Sequence, residues 1–274
     1  MNQFIQSLKR ITPTPIWRAA SEARYALNRA AQFPAATLHP WRRESIRRLS
    51  ALKDRHQGER CFIIGNGPSL KQTDLNRLRD EYTIGMNRFY LVFPELGFTT
   101  TYFLSVNSLV IEQCVADFLK LSMPAFFSWR SRRYFHGAPP ASLPTFLHTT
   151  YTGAKFARDA RGRLWEGATV TYVALQLAFH MGFQQVILIG VDHNFTTQGT
   201  PNTTVISQGD DPNHFHPGYF GKGFRWQLPD LETSERAYRM ARHAYESAGR
   251  QVIDATVGGK LTVFPKADYD NLFA

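Results

Sequence analysis

Apolar and polar positions change rhythm near residue 58. From there, short apolar runs of strand length alternate with helical periodicities. Arg60 to Gly65 carries Cys-Phe-Ile-Ile, and Tyr82 to Asn87, Thr101 to Val106 and Pro124 to Trp129 are further runs rich in β-branched and aromatic residues. Thr169 to Met181 places Val170, Val173, Ala174, Leu177, Ala178 and Met181 on one helical face, and Gly182 ends it. Gln185 to Val191 follows as an apolar run, the pattern of a strand covered on both faces of a parallel sheet. Leu231 to Ala248 predicts a second long helix, with Leu231, Tyr238, Ala241, Tyr245 and Ala248 on its inner stripe. Gly249 caps it, and Gln251 to Asp254 is a last short strand. The alternation predicts an α/β fold: a single Rossmann-like domain with a largely parallel sheet over residues 58–274.

Residues 1–57 read differently. Pro13, Pro15, Pro34 and Pro40 break them into two helical pieces. The second, Trp41 to Arg55, interleaves Trp41, Ile46, Leu49 and Leu52 with Arg42, Arg43, Arg47, Arg48 and Lys53. This segment holds 11 basic and three acidic side chains, so +8 of the net +10 lies in the first fifth of the chain. A nucleic-acid binder spreads or stripes its charge over the fold, so nucleic acid is not an expected partner. The basic helical N-terminal appendage is expected either to pack on the domain through its apolar stripe or to lie on an anionic membrane. There, clustered cations gain roughly 1 kcal/mol each. No run of 18 apolar residues is present, which excludes a transmembrane helix, and no apolar leader with a cleavage site opens the chain. Two cysteines, Cys61 and Cys114, give no disulfide framework. The expected location is cytoplasmic, peripheral on the inner face of the cell membrane if the appendage binds lipid.

Candidate chemistry gathers at strand ends. Gly65-Asn66-Gly67-Pro68-Ser69 follows the first strand directly, where glycines let a backbone approach an anion. It lacks the Lys of a P-loop and the third Gly of a dinucleotide fingerprint. Asn87, Asn107 and Asp192 follow three further strands, and carboxyl ends of strands line the crevice of an open α/β sheet. Singly, each is an ordinary turn former. Thr169 opens the long helix, as an N-cap or as a ligand to a phosphate or carboxylate. A polar lid loop, about 193–229, carries His193, His214 and His216, with Lys222 and Arg225 as candidate anion partners and Tyr219, Phe220 and Trp226 as ring faces. Asp192 and these histidines match no metal signature, so general base catalysis by His214 or His216 is the preferred reading.

At these residues the chain resembles the DUF115 family, which includes MptE-like proteins and motility-associated flagellin glycosyltransferases. GNGPSL (65–70), GMNRFY (85–90), VNS (106–108), ILIGVDHNF (187–195), NHFHPGYFGKG (213–223) and VGGKL (257–261) carry the likeness. More distantly it is similar to bacterial sialyltransferases that use CMP-sialic acid without a metal and with inversion. That resemblance implies that Gly65, Asn66, Gly67, Asn87, Asn107 and Thr169 contact a CMP-sugar, with Ser69, Asp192, Tyr219 and Lys222 beside them. It implies His214 or His216 as base, with Tyr219 nearest to the tyrosines that hold the leaving phosphate. The expected function is transfer of a nonulosonic sugar from a CMP donor to a surface glycan or glycoprotein, with no cofactor and no metal. The MptE side implies instead a hydroxymethylpterin pyrophosphokinase using ATP and Mg²⁺, with Asp192 and Asp210 or Asp211 as metal ligands. A nucleotide-binding protein without turnover is the third reading. Self-association into a homo-oligomer is also an expected partner mode.

Overall fold

The computed structural model describes residues 14–139, 142–151, 153, 155–196, 199–209 and 211–273. Asp210 and residues 1–13, which figure in the expectations above, lie outside them. The chain divides into two units, Met1–Arg43 and Glu44–Ala274, a boundary earlier than residue 57.

In the first unit, α1 (Thr14–Gln32) is followed by a single helical turn, α2 (Ala35–Leu38). Helix α3 (Pro40–Leu52) carries the chain across the boundary. Within the larger unit, Ser45 Oγ accepts from Phe146 N–H at 2.9 Å, Arg48 donates to Leu143 O at 2.6 Å, and Leu49 is fully buried. Residues 44–52 are therefore packed into the domain through the apolar stripe. Among the described residues, no helix is long and apolar enough to cross a membrane.

The sheet has eight strands: β1 (Arg60–Ile64), β2 (Tyr82–Met86), β3 (Tyr102–Ser105), β4 (Ala125–Ser128), β5 (Thr145–Thr150), β6 (Arg163–Trp165), β7 (Gln185–Ile189) and, after a small hairpin of β8 (Thr204–Ile206) and β9 (Arg225–Gln227), β10 (Gln251–Asp254). Their order is β10-β7-β1-β2-β3-β4-β5-β6, and every neighbouring pair is parallel. The apolar runs follow from this burial. In β1, Cys61 and Ile63 enter one core and Phe62 and Ile64 the other; in β7, Val186 and Leu188 alternate likewise with Ile187 and Ile189. Each such side chain contributes about 1.5–3 kcal/mol on burial.

Four further helices complete the fold: α4 (Phe93–Leu96), α5 (Ser108–Phe118), α6 (Val170–Met181) and α7 (Leu231–Glu246). Thr169 caps α6, and Gly182, at φ +97°, terminates it. Residues Thr171 to Met181 are all buried, so α6 is covered all round rather than along one stripe. Two of its polar residues reach partners outside the helix: Gln176 Oε1 accepts from Ala157 N–H and Trp165 N–H, and His180 Nε2 bonds Leu49 O at 2.9 Å. Helix α7 buries Ala237, Tyr238, Ala241 and Tyr245, with Leu231 left at its first turn. Cys61 and Cys114 are buried free thiols.

Candidate functional site

Strand connections run outward from β1 through β6, then return to place β7 on the other side of β1. That reversal is the topological switch point, where open α/β sheets bind ligands. The Gly65–Ser69 turn leaves β1 there, and Gly190-Val191-Asp192 leaves β7. The two turns touch: Gly65 N–H donates to Ile189 O at 2.8 Å and Gly67 N–H to Gly190 O at 2.9 Å. A Cβ on Gly65 would lie 2.1 Å from Gly190 O, and one on Gly67 1.8 Å from Asp192 Oδ2. Both glycines are thus needed for the turn-to-turn contact itself. Asp192 accepts from Ser69 N–H at 3.0 Å and Ser69 Oγ–H at 2.7 Å, which braces the turn. Burial raises the Asp192 carboxyl above its usual range, against the pull of the Ser69 bonds. Asn66 lies between the glycines; its Oδ1 is buried and has no hydrogen-bond partner.

Above the strand ends is a cavity of about 820 Å³. Gly65, Asn66, Gly67, Asn87, Asn107, Thr169, Asp192, His214 and Tyr219 all line it; Ser69, His216 and Lys222 do not. Asn107 caps α5, accepting from Leu109 N–H at 2.9 Å, and Thr169 caps α6, accepting from Thr171 N–H at 3.3 Å. Asp230 caps α7 from the same cavity wall. Three helix N-termini therefore border one space: those of α5 and α6 bring about half a positive charge each, while the Asp230 carboxylate offsets that of α7. No Lys or Arg is among the described lining residues. Four of the five non-glycine residues with positive φ among the described residues (Asn87, Ala168, His193 and Asn202) also line it, and such backbone strain concentrates at ligand sites.

The segment after β7 closes the cavity. Its aromatic residues Phe215, Tyr219, Phe220 and Trp226 are buried in the second core, so they form the interior of the lid as well as part of the cavity wall. His214 Nδ1–H donates to both carboxylate oxygens of Asp211, at 2.8 and 2.9 Å, and the ring stacks on Tyr219 at 3.9 Å with planes 7° apart. No described residue bonds His214 Nε2. Burial raises the Tyr219 phenol well above its ordinary value. Arg88 donates to Gly218 O at 2.9 Å and to Tyr219 O. The β2 end thus anchors the ring beneath His214. His216 Nδ1 accepts from Gly218 N–H at 3.0 Å in a local turn, and Lys222 is exposed. His193 lines the cavity paired with Glu235 at 3.2 Å.

Sequence reasoning missed the other half of the wall. Tyr151 follows β5, Glu166 follows β6, and both line the cavity; Arg130, after β4, bonds Glu166. Glu166 is 3% exposed, and burial raises its carboxyl despite the bond from Arg130. Strand-end position, the signal that singled out Asn87 and Asn107, applies equally to these residues.

A doubly wound parallel sheet with a helix-capped cavity at its switch point defines a Rossmann-like domain. The chain belongs to the MptE-like family: the family model described as 6-hydroxymethylpterin diphosphokinase MptE-like matches residues 38–198. That span includes the asparagine strand ends but not His214, Tyr219 or α7. Among solved structures, the chain is similar to the MAf glycosyltransferase from Magnetospirillum magneticum AMB-1, at 14% identity and a TM-score of 0.45. The alignment covers 91% of this chain and 42% of that one, so the chain spans less than half its length. No curated protein matches.

Proposed function

We propose that the protein is an inverting glycosyltransferase that moves a nonulosonic sugar from a CMP donor to a glycan or glycoprotein acceptor. The observation that carries this reading is His214 on the cavity wall with Asp211 behind its Nδ1. Aspartate at Nδ1 fixes the ring proton there and leaves Nε2 as the acceptor of a hydroxyl proton. In the step, Nε2 takes the acceptor's proton while its oxygen bonds the anomeric carbon. The bond to the CMP phosphate breaks, and CMP leaves with the electron pair. The starts of α5 and α6, capped by the neutral Asn107 and Thr169, stabilise the departing phosphate, an electrostatic contribution that is fixed before the reaction. A diphosphate leaving group develops more charge and calls for cationic side chains or metal, whereas a single phosphate suits two helix dipoles.

The family description favours a second reading, diphosphate transfer from ATP to a hydroxymethylpterin. That chemistry draws on cations and on carboxylates that hold Mg²⁺. Each cavity carboxylate described already has a partner: Asp192 has Ser69, Glu166 has Arg130, and Asp230 has Thr233 N–H. This argues for the first reading.

A thermal-shift panel of CMP, CDP, UMP and ATP with Mg²⁺ tests the choice. CMP at about 100 times its Kd should stabilise by about 2.7 kcal/mol, a rise of roughly 5–10 °C for a domain of this size. A rise with ATP and Mg²⁺ alone would overturn the reading in favour of the kinase.

A further inference from the structure

The β4–β6 half of the cavity is built unlike the β1–β3 half. Where β1, β2 and β3 end in asparagines, β4, β5 and β6 lead into Arg130, Tyr151 and Glu166. Tyr151 is 53% exposed, yet it is held firmly. The Arg130 guanidinium lies over its ring, 3.9 Å from the centroid. Arg130 is itself held by donating to the buried Glu166. Tyr151 and Glu166 both line the cavity.

We propose that Tyr151, fixed by Arg130 and Glu166, is the stacking platform for an uncharged pyranose ring of the acceptor glycan. This rests on reading the cavity as a glycosyl-transfer site. A held aromatic face offers carbon–hydrogen contacts to the apolar face of a sugar at little entropic cost. Arg130, which covers one face of the ring, is paired with Glu166 rather than free to hold a phosphate. Position points the same way. The nucleotide crevice is at the β1–β7 switch point, whereas Tyr151 leaves β5, four interstrand steps of about 4.8 Å from β1, or roughly 19 Å along the sheet. An acceptor entering from that side meets the cavity opposite the donor's nucleotide.

The test is binding of the full chain, saturated with CMP, to an array of printed oligosaccharides, for the wild type, Tyr151→Ala and Tyr151→Trp. CMP-induced thermal shifts are measured in parallel and report both folding and the nucleotide site. Glycans retained by the wild type should be retained by Tyr151→Trp and weakened at least about tenfold in Tyr151→Ala, with the CMP shift unchanged in both. Undiminished glycan binding by Tyr151→Ala, or no glycan retained by a CMP-binding wild type, would overturn the platform. A CMP shift lost in Tyr151→Ala would place the nucleotide there instead, which also overturns it. Failure of the glycosyl-transfer reading itself would be separate: the wild type would show no CMP shift.

Discussion

Gly65→Ala puts a methyl group where the β1 and β7 turns touch, and its cost can be worked from the geometry. The new Cβ would lie 2.1 Å from Gly190 O and 2.5 Å from Gly190 C, both backbone atoms. A tolerable contact needs about 3.0 Å, so the turns must part by about 1 Å. The hydrogen bonds Gly65 N–H to Ile189 O and Gly67 N–H to Gly190 O, at 2.8 and 2.9 Å, span that contact and would break. Each is worth about 1 kcal/mol, and overpacking adds about 1–3 kcal/mol, so the expected loss is about 3–5 kcal/mol. At about 2–4 °C per kcal/mol, Tm should fall by roughly 6–20 °C. Gly67→Ala should cost less, because Asp192 can rotate away by giving up its charge-assisted bonds from Ser69, about 1.5–3 kcal/mol. Gly221→Ala, with nothing within 4 Å of its Cβ, is the control and should stay within about 0.5 kcal/mol. Calorimetric melts of the three variants, each with a CMP titration, make the comparison. Gly65→Ala melting within about 1 °C of the wild type with unchanged CMP affinity would refute the reasoning.

Asn66→Ala should weaken CMP binding measured by calorimetry while Tm changes by little, since its buried Oδ1 has no partner in the protein to lose; loss of folding with normal binding in the surviving fraction would make it structural. Burial raises the Glu166 carboxyl, so the folded state holds its proton above the usual carboxylate range. Stability relative to Glu166→Gln should therefore decline as pH rises through the window above the unfolded value, with a slope of at most about 1.4 kcal/mol per pH unit. Paired melting curves from acidic to neutral pH check the sign, and a difference that grows with pH would contradict it. EDTA should leave most transfer activity intact; complete loss restored by Mg²⁺ or Mn²⁺ would bring Asp192 and Asp211 into metal-binding roles.

Strands β1 to β4, β7 and β10 were legible because burial makes them apolar, and all but β4 are marked at their ends by Gly, Asn or Asp. Strand β5, Thr-Phe-Leu-His-Thr-Thr, was not, because its polar residues are buried through tertiary partners. Thr149 Oγ1 and Ser128 Oγ bond at 2.8 Å, and the Phe146 amide finds Ser45, 101 residues away. β6 is only three residues long. With those strands unseen, Tyr151 and Glu166 had no strand end to mark them. Arg88 was invisible for the same kind of reason, since its carbonyl partners lie 130 residues on. The glycine turn was located correctly, but the backbone that approaches it closely is that of Gly190. Asn107 and Thr169 show that capping and lining a cavity are compatible, because a helix start that faces a cavity still needs its cap.

Release of CMP from a CMP-activated nonulosonate, followed for the wild type and His214→Ala, tests the central claim most directly. A general base contributes about 10²- to 10⁴-fold, so His214→Ala should lose turnover by that factor while its CMP affinity stays nearly unchanged. His216→Ala, outside the cavity wall, should keep turnover near the wild type. Equal turnover by His214→Ala and wild type, or no CMP release by wild type alongside diphosphate transfer from ATP to a hydroxymethylpterin, would contradict the account.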